Sequence, residues 1–364
     1  MTNRIESLSN WLKQKDISFA FITSTPNVFY LSNFYSDPHE RLLAVCVFPE
    51  QEPFLVCPAM EVEDVKNSGW SHEVVGCSDT DDAWALVEQA IRKRNIDVTS
   101  IAVEKLHMNM ERFENLQSKF PNAVFVSAEE KLRSLRMKKS TNEIEIMREA
   151  AKLADFGVEV GVSAIKAGKS ELEIVAQIEY ELKKKGIKQM AFSTMVLAGA
   201  KTASPHGKPS LDQVKQGDLV LFDLGVVLEG YCSDITRTVA FGSVTDEQRA
   251  IYDTVLEAEQ AAVSACKPGV TAGTIDKTAR DIISSAGYGP YFTHRVGHGL
   301  GIEAHEYPSM SGTNTAPLEA GMIITVEPGI YVPRVGGVRI EDDVLITDTG
   351  VDILTKFPKE LIIL

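Results

Sequence analysis

Apolar positions along this chain fall into two regimes. In the first third they come as short unbroken runs, at residues 19–22, 43–48, 54–57, 101–103 and 123–126, which predict strands. Between several of these runs, residues 81–94 and 109–119 mix apolar and charged positions in the manner of helices. Strands and helices in alternation predict a layered α/β domain. Residues 1–15 are polar and of mixed charge, with no apolar stretch ahead of a small-residue cleavage site; they predict a short helix and no secretory signal. No apolar run approaches the roughly 18 residues that a transmembrane helix needs.

The second regime begins after a charged stretch, residues 129–139 (EEKLRSLRMKK), and the domain boundary is placed there, giving 1–130 and 131–364. Ser140-Thr-Asn-Glu143 is a capping box, in which the serine oxygen satisfies a free helix N–H and the glutamate reaches back. Ile144, Met147, Ala151, Ala154 and Val158 follow as one buried stripe. Ser170-Glu-Leu-Glu173 opens a second helix ending near Gly186, Thr245-Asp-Glu-Gln248 a third, and Thr271 a fourth ending near Gly287.

These helices repeat. Displaced by 101 residues, Gly168, Ser170, Ile174 and Gly186 fall on Gly269, Thr271, Ile275 and Gly287. His206-Gly-Lys-Pro-Ser210 matches His305-Glu-Tyr-Pro-Ser309, and the Gly217 to Gly225 segment matches Gly321 to Gly329. The order helix, helix, strand, strand thus occurs twice. Two copies are too few for a solenoid. The expectation is two halves that close one shared site about a pseudo-two-fold axis.

Charge and cysteine content narrow the function. Lys+Arg is 37 against Asp+Glu 51, a net charge of -14, which repels a phosphate backbone and argues against nucleic-acid binding. The five cysteines are widely spaced, with no CxxC pair; they predict core thiols in a reducing cytoplasm.

The chemistry sits inside the repeat. Asp223 interrupts the apolar run 219–224, and Glu327 ends the matching run 323–327. A buried carboxylate is costly unless neutralised, and neither run holds a lysine or arginine, so a metal ion is the candidate partner. Asp234 lies 11 residues beyond Asp223, and Glu341 lies 14 beyond Glu327, with turn-like residues between. Two hairpins would set Asp223 opposite Asp234 and Glu327 opposite Glu341. Four carboxylates overcompensate one divalent ion and balance two. Three of the seven histidines lie in His294-Arg-Val-Gly-His298-Gly-Leu-Gly-Ile-Glu-Ala-His305, whose glycines predict a strand or loop. His206 and His305 are repeat mates and would flank the site. His298 has no histidine mate and is the better single nitrogen ligand.

FDLG at Asp223, SDITRT at Asp234, HRVGHGLG at His298, TVEPGIY at Glu327 and GVRIEDD at Glu341 resemble the creatinase/methionine aminopeptidase metallohydrolases, family M24. The resemblance spans residues 138–364. It implies an α+β "pita-bread" catalytic domain with the internal repeat, behind a creatinase-like α/β N-terminal domain that helps form a homodimer. The layout looks most like prolidases and Xaa-Pro aminopeptidases. Carried over, Asp223 would bind one metal, His298 and Glu327 the other, and Asp234 and Glu341 would bridge. His206 and His305 would bind substrate and stabilise the tetrahedral intermediate. Glu327 would also shuttle protons, and Arg339 would back the carboxylates and bind substrate. The metals would be manganese, with cobalt and zinc as alternatives; the substrate would be a short proline-containing peptide, an Xaa-Pro dipeptide. One departure is Ser309, where prolidases of this length carry an arginine for the dipeptide carboxylate. The alternatives are an Xaa-Pro aminopeptidase acting on longer peptides, a metal-free amidinohydrolase, and a silent binding module.

Overall fold

The computed structural model describes residues 2–364. The chain divides into one unit ending at Arg136 and a second spanning Met137–Leu364. The break comes at the end of the charged helix, where composition alone put it at 130. Among the described residues no helix is long and apolar enough to cross a membrane. All five cysteines are free and buried.

The first unit is built on six strands, β1 (Phe19–Ile22), β2 (Ala44–Val47), β3 (Phe54–Pro58), β4 (Glu73–Cys77), β5 (Ser100–Val103) and β6 (Val124–Ser127), in the order β4-β3-β2-β1-β5-β6. β2 runs antiparallel to both its neighbours and the other pairings are parallel. Helices α1 (Thr2–Gln14), α2 (Thr25–Ser32), α3 (Val62–Asn67), α4 (Ala83–Arg92), α5 (Met110–Lys119) and α6 (Glu129–Met137) complete it. Phe19, Phe21, Phe54, Ile91, Ile101 and Leu116 meet in its core. Three of these elements, β4, α2 and the six-residue α3, escape the sequence pattern. β4 is an edge strand, half exposed, so its apolar run shrinks to Val74 and Val75. α2 has eight residues, too few for a helical period; it forms because Ser24 caps Asn27 N–H and Pro26 sits in the first turn.

The second unit has the duplicated α+β architecture: the repeat implied the duplication, and the resemblance implied the pita-bread form. α7 (Thr141–Ala164) and α8 (Glu171–Lys184) precede β7 (Gln189–Met190), β8 (Met195–Ala198), β9 (Leu219–Leu224), β10 (Val226–Leu228), β11 (Tyr231–Cys232) and β12 (Ile235–Ala240). α9 (Asp246–Ala265) and α10 (Ala272–Ser285) precede β13 (His298–Gly299), β14 (Glu306–Ser309), β15 (Ile323–Val326), β16 (Gly329–Val332), β17 (Gly336–Arg339), β18 (Asp342–Ile346) and β19 (Val351–Ile353). The capping boxes at Ser140, Ser170 and Thr245 form, and Thr271 caps α10. On α7, Met147, Ala151, Ala154 and Val158 are buried, whereas Ile144, in the first turn, is only half-buried. The sheets run β12-β9-β8 and β14-β13-β15-β18-β19.

Turn geometry decides which carboxylates face each other. In the first half, Glu229 and Gly230 both take positive φ, 48° and 84°, making a two-residue turn of the kind that closes hairpins. It fixes one register through Leu228↔Tyr231 and Leu224↔Ile235, and Asp223 therefore pairs with Thr236. The expected opposition of Asp223 and Asp234 does not occur, because this tight turn leaves no residues to spare. In the second half, Val326↔Asp342 and Gly329↔Arg339 belong to one register, which sets Glu327 opposite Glu341 between the two ladders. Pro328, which has no N–H, stands at that break.

A candidate metal centre between the two halves

Equivalent places on the repeated strands deliver the acidic residues. Asp223 lies in β9 and Glu327 directly follows β15; Asp234 directly precedes β12 and Glu341 directly precedes β18. The halves meet where Glu341 N–H donates to Thr236 O at 3.1 Å and Thr238 Oγ1 donates to Arg339 O at 3.1 Å. His298 opens β13, and Gly297 before it has no room for a side chain: a Cβ there would lie 2.0 Å from Thr325 O.

Ligand atoms of Asp234, His298 and Glu341, all buried, lie within 4.8 Å of one another. His298 Nε2 is 3.2 Å from Glu327 Oε1 and 3.9 Å from Asp234 Oδ2. His298 Nδ1 sits 3.1 Å from Gly299 O, which orients the ring so that Nε2 faces the carboxylates. Asp234 Oδ1 and Glu341 Oε1 are buried without any hydrogen-bond partner. Burial pushes both carboxyls well above the usual range; Glu341 adds to this for Asp234, and Glu327 for Glu341. Orphaned buried carboxylate oxygens beside one imidazole nitrogen form a donor set that suits a divalent ion of the manganese, cobalt or zinc type. The residues present fit such an ion.

Asp223 is held by a cation of the protein. Arg339 NH2 donates to its Oδ2, while Arg339 Nε donates to Thr236 Oγ1 at 3.1 Å and NH1 to Tyr331 Oη at 2.9 Å. Thr236 passes its own hydroxyl hydrogen to Glu341 Oε2 at 2.6 Å. Arg339, buried, thus ties a carboxylate of the first half to one of the second. All three of its nitrogens are bonded to protein, so its place is behind the carboxylates.

The remaining histidines gather nearby. His206 is exposed, in a turn after the short helix Gly199–Ala203; Lys201 Nζ and Ser210 N–H bracket it by binding Glu171 at 2.6 and 2.8 Å. The His305 ring centroid is 4.2 Å from that of His298. Partial burial lowers the His305 pKa, and the charges of His298, Arg295 and His206 act in the same direction. Burial likewise lowers His294, whose Nε2 is 2.8 Å from Tyr331 Oη. Arg295 NH1 donates to Ser309 Oγ at 3.1 Å, and among the described residues Arg295 has no acidic partner.

Sequence reasoning gave no role to Thr236, Tyr331 or His294. A signal existed for the first two. Thr236 lies two residues from Asp234 and Tyr331 four from Glu327, the spacing of one strand face.

Comparison with known proteins places both units in described families. Residues 145–348 match Metallopeptidase family M24, and residues 4–138 match the Creatinase/Prolidase N-terminal domain. A Bacillus subtilis (strain 168) protein named "Putative dipeptidase YkvY" is 57% identical over 362 residues, covering 100% of both chains. The solved structure of an Xaa-Pro dipeptidase from Bacillus anthracis is 34% identical with a TM-score of 0.93, covering 100% of this chain and 99% of that one. An X-Pro aminopeptidase from Thermotoga maritima MSB8 is 32% identical with a TM-score of 0.87, over 96% of this chain and 98% of its own.

Proposed function

The chain belongs to metallopeptidase family M24, with a creatinase/prolidase N-terminal domain, and we propose that it hydrolyses the peptide bond before proline in Xaa-Pro dipeptides. In this reading Asp223, Asp234, His298, Glu327 and Glu341 hold two divalent ions, manganese before cobalt or zinc. Bound there, the ions would supply an activated water at neutral pH and polarise the scissile carbonyl. The protein's own groups do the rest. Arg339, through Asp223 and Thr236, keeps the carboxylates of the two halves in place. His206 and His305, in matching loops of the repeat, face the substrate and donate to the oxygen on which charge develops. Glu327, 3.2 Å from His298, is the carboxylate assigned to carry the proton to the leaving amine.

One observation carries the dipeptide specificity. Ser309 supplies no charge, but it accepts a hydrogen bond from Arg295, a half-buried cation without an acidic partner whose charge reaches His305. Arg295, steadied by Ser309, is the group proposed to receive the free carboxylate beyond proline. The names of the structural relatives include both an Xaa-Pro dipeptidase and an X-Pro aminopeptidase, so the test must separate them. Metal-stripped protein is reconstituted with Mn, Co or Zn and given an Xaa-Pro dipeptide, its C-terminal amide and an Xaa-Pro-Xaa tripeptide. Amidation should raise KM by about 10- to 100-fold, the equivalent of a hydrogen bond to a charged group worth about 1.5–3 kcal/mol. Equal kcat/KM for all three would overturn the dipeptidase reading in favour of an aminopeptidase. The homodimer and the cytoplasmic location belong to the same proposal; sedimentation of the purified protein and fractionation of cells check them.

A further inference from the structure

A charged network lies directly behind the candidate ligands. Strand alternation turns Asp342 away from Glu341, and Asp342 is fully buried. It accepts from Arg237 NH2 at 2.7 Å, Lys359 Nζ at 2.6 Å and Thr355 Oγ1 at 2.7 Å. Arg237 NH1 donates to the carbonyls of both Thr236 and Glu341, where the two halves meet, and Arg237 Nε and NH2 donate to Phe357 O at 3.0 and 2.8 Å. On the other side of the pair, Asp343 Oδ2 accepts from Asp234 N–H at 3.0 Å.

The segment after β19 holds this network from both halves. Lys356 and Phe357 N–H donate to Asp155 of α7 at 2.7–2.9 Å. Lys359 O accepts from Tyr252 Oη of α9 at 2.7 Å, and Lys359 Nζ reaches Glu259 of α9 at 3.0 Å. Ile362 and Leu364 bond to the backbone of Ala240 in β12 at 2.9 and 3.0 Å. One segment therefore spans α7 and β12 of the first half and α9 and β18 of the second. Buried ion pairs add little stability over apolar packing, but they fix direction, and groups behind metal ligands commonly govern affinity.

We propose that Lys359 and Arg237 are positioning residues of the metal centre: through Asp342 and the backbone of Glu341 and Thr236, residues 355–364 hold Asp234 and Glu341 at the spacing a metal ion requires. The inference rests on the reading of Asp234 and Glu341 as metal ligands. The test uses full-length, chelator-stripped protein as wild type, Lys359→Met, Lys359→Arg and Asp155→Ala. Mn(II) affinity is measured by titration, the Co(II) site by its visible absorption, and folding by calorimetry of the metal-free proteins. Lys359→Met should weaken Mn(II) binding about 10- to 100-fold and alter the Co(II) spectrum. Lys359→Arg should restore most of both, and Asp155→Ala, which loosens the segment from a half-buried position, should weaken binding at least about threefold. Mn(II) affinity within twofold of wild type and an unchanged Co(II) spectrum in Lys359→Met would overturn the proposal, whatever happens to the melting temperature. If that variant does not fold, Asp155→Ala decides by the same criterion. Wild-type protein that binds neither ion would instead refute the ligand reading itself.

Discussion

Replacing Arg339 by methionine removes the cation that ties the two halves of the site together. The guanidinium is buried, and it donates to Asp223, Thr236 and Tyr331. Removing one partner of a buried pair costs about 3–5 kcal/mol, because the other charge is left without compensation. Protonation of Asp223 sets a ceiling: neutralising a carboxyl of ordinary pKa about 3.9 at pH 7 costs about 4 kcal/mol. The two figures agree, and the second makes the penalty depend on pH. Burial already pushes the Asp223 pKa up and Arg339 opposes it; without Arg339 the folded state retains a proton that the unfolded state has released. Fewer protons bound in the unfolded state means that stability falls as pH rises, here by about 1.4 kcal/mol per unit. The penalty in metal-free protein should therefore be about 4 kcal/mol at pH 7 and under about 2 kcal/mol at pH 5. For a unit of this size the pH 7 value corresponds to a melting temperature lower by about 8–16 °C. Trp11, Trp70 and Trp84 all belong to the first unit, so tryptophan fluorescence would follow the wrong transition; calorimetry or far-ultraviolet circular dichroism is needed. A penalty below about 1 kcal/mol at pH 7, or one that does not change between pH 5 and 7, would refute the reasoning.

Asp234→Asn and Glu341→Gln should each abolish turnover and lower bound metal, while the metal-free proteins melt higher than wild type at pH 8, since each removes a carboxylate whose charge burial disfavours; metal analysis and calorimetry check both halves of this. His206→Ala and His305→Ala should lower kcat by roughly 10²–10³-fold with metal content nearly unchanged. Metal lost in parallel with activity would make these histidines ligands. Burial, with Asp342 nearby, pushes Glu259 up to about 8. The stability it contributes is complete below its unfolded value near 4.5 and is lost as pH rises through about 8. Glu259→Gln should accordingly flatten the loss of metal-free stability between pH 5 and 8, and an unchanged pH profile of unfolding would count against that assignment.

Much of this architecture is local in origin and could be read from the chain. The caps at Ser140, Ser170, Thr245 and Thr271 and the stripe on α7 depend on residues three or four apart, and they form where the spacing put them. The five apolar runs of the first unit became strands, whereas β4, half exposed, and α2 and α3, both short, left too weak a pattern. The duplication was legible because two copies of one segment keep matching residues at matching offsets.

The candidate site was legible as a set of residue types and illegible as a geometry. A carboxylate inside an apolar run is a local anomaly, so Asp223 and Glu327 announced themselves, and the repeat drew in Asp234 and Glu341. Which of them would meet was set by two turns: the tight Glu229-Gly230 turn puts Thr236 opposite Asp223, and the looser return through Pro333 to Val335 leaves Glu327 opposite Glu341. The group of Asp234, His298 and Glu341 joins residues from both halves. Thr236, Tyr331, Arg237 and Lys359 owe their places to the same packing. The residues that must carry charge in an apolar setting are written in the sequence, because burial makes them exceptional there. Their partners come from strand registers and from the closure of the two halves, since a hydrogen bond or a metal ion responds to distance in space and not to separation along the chain.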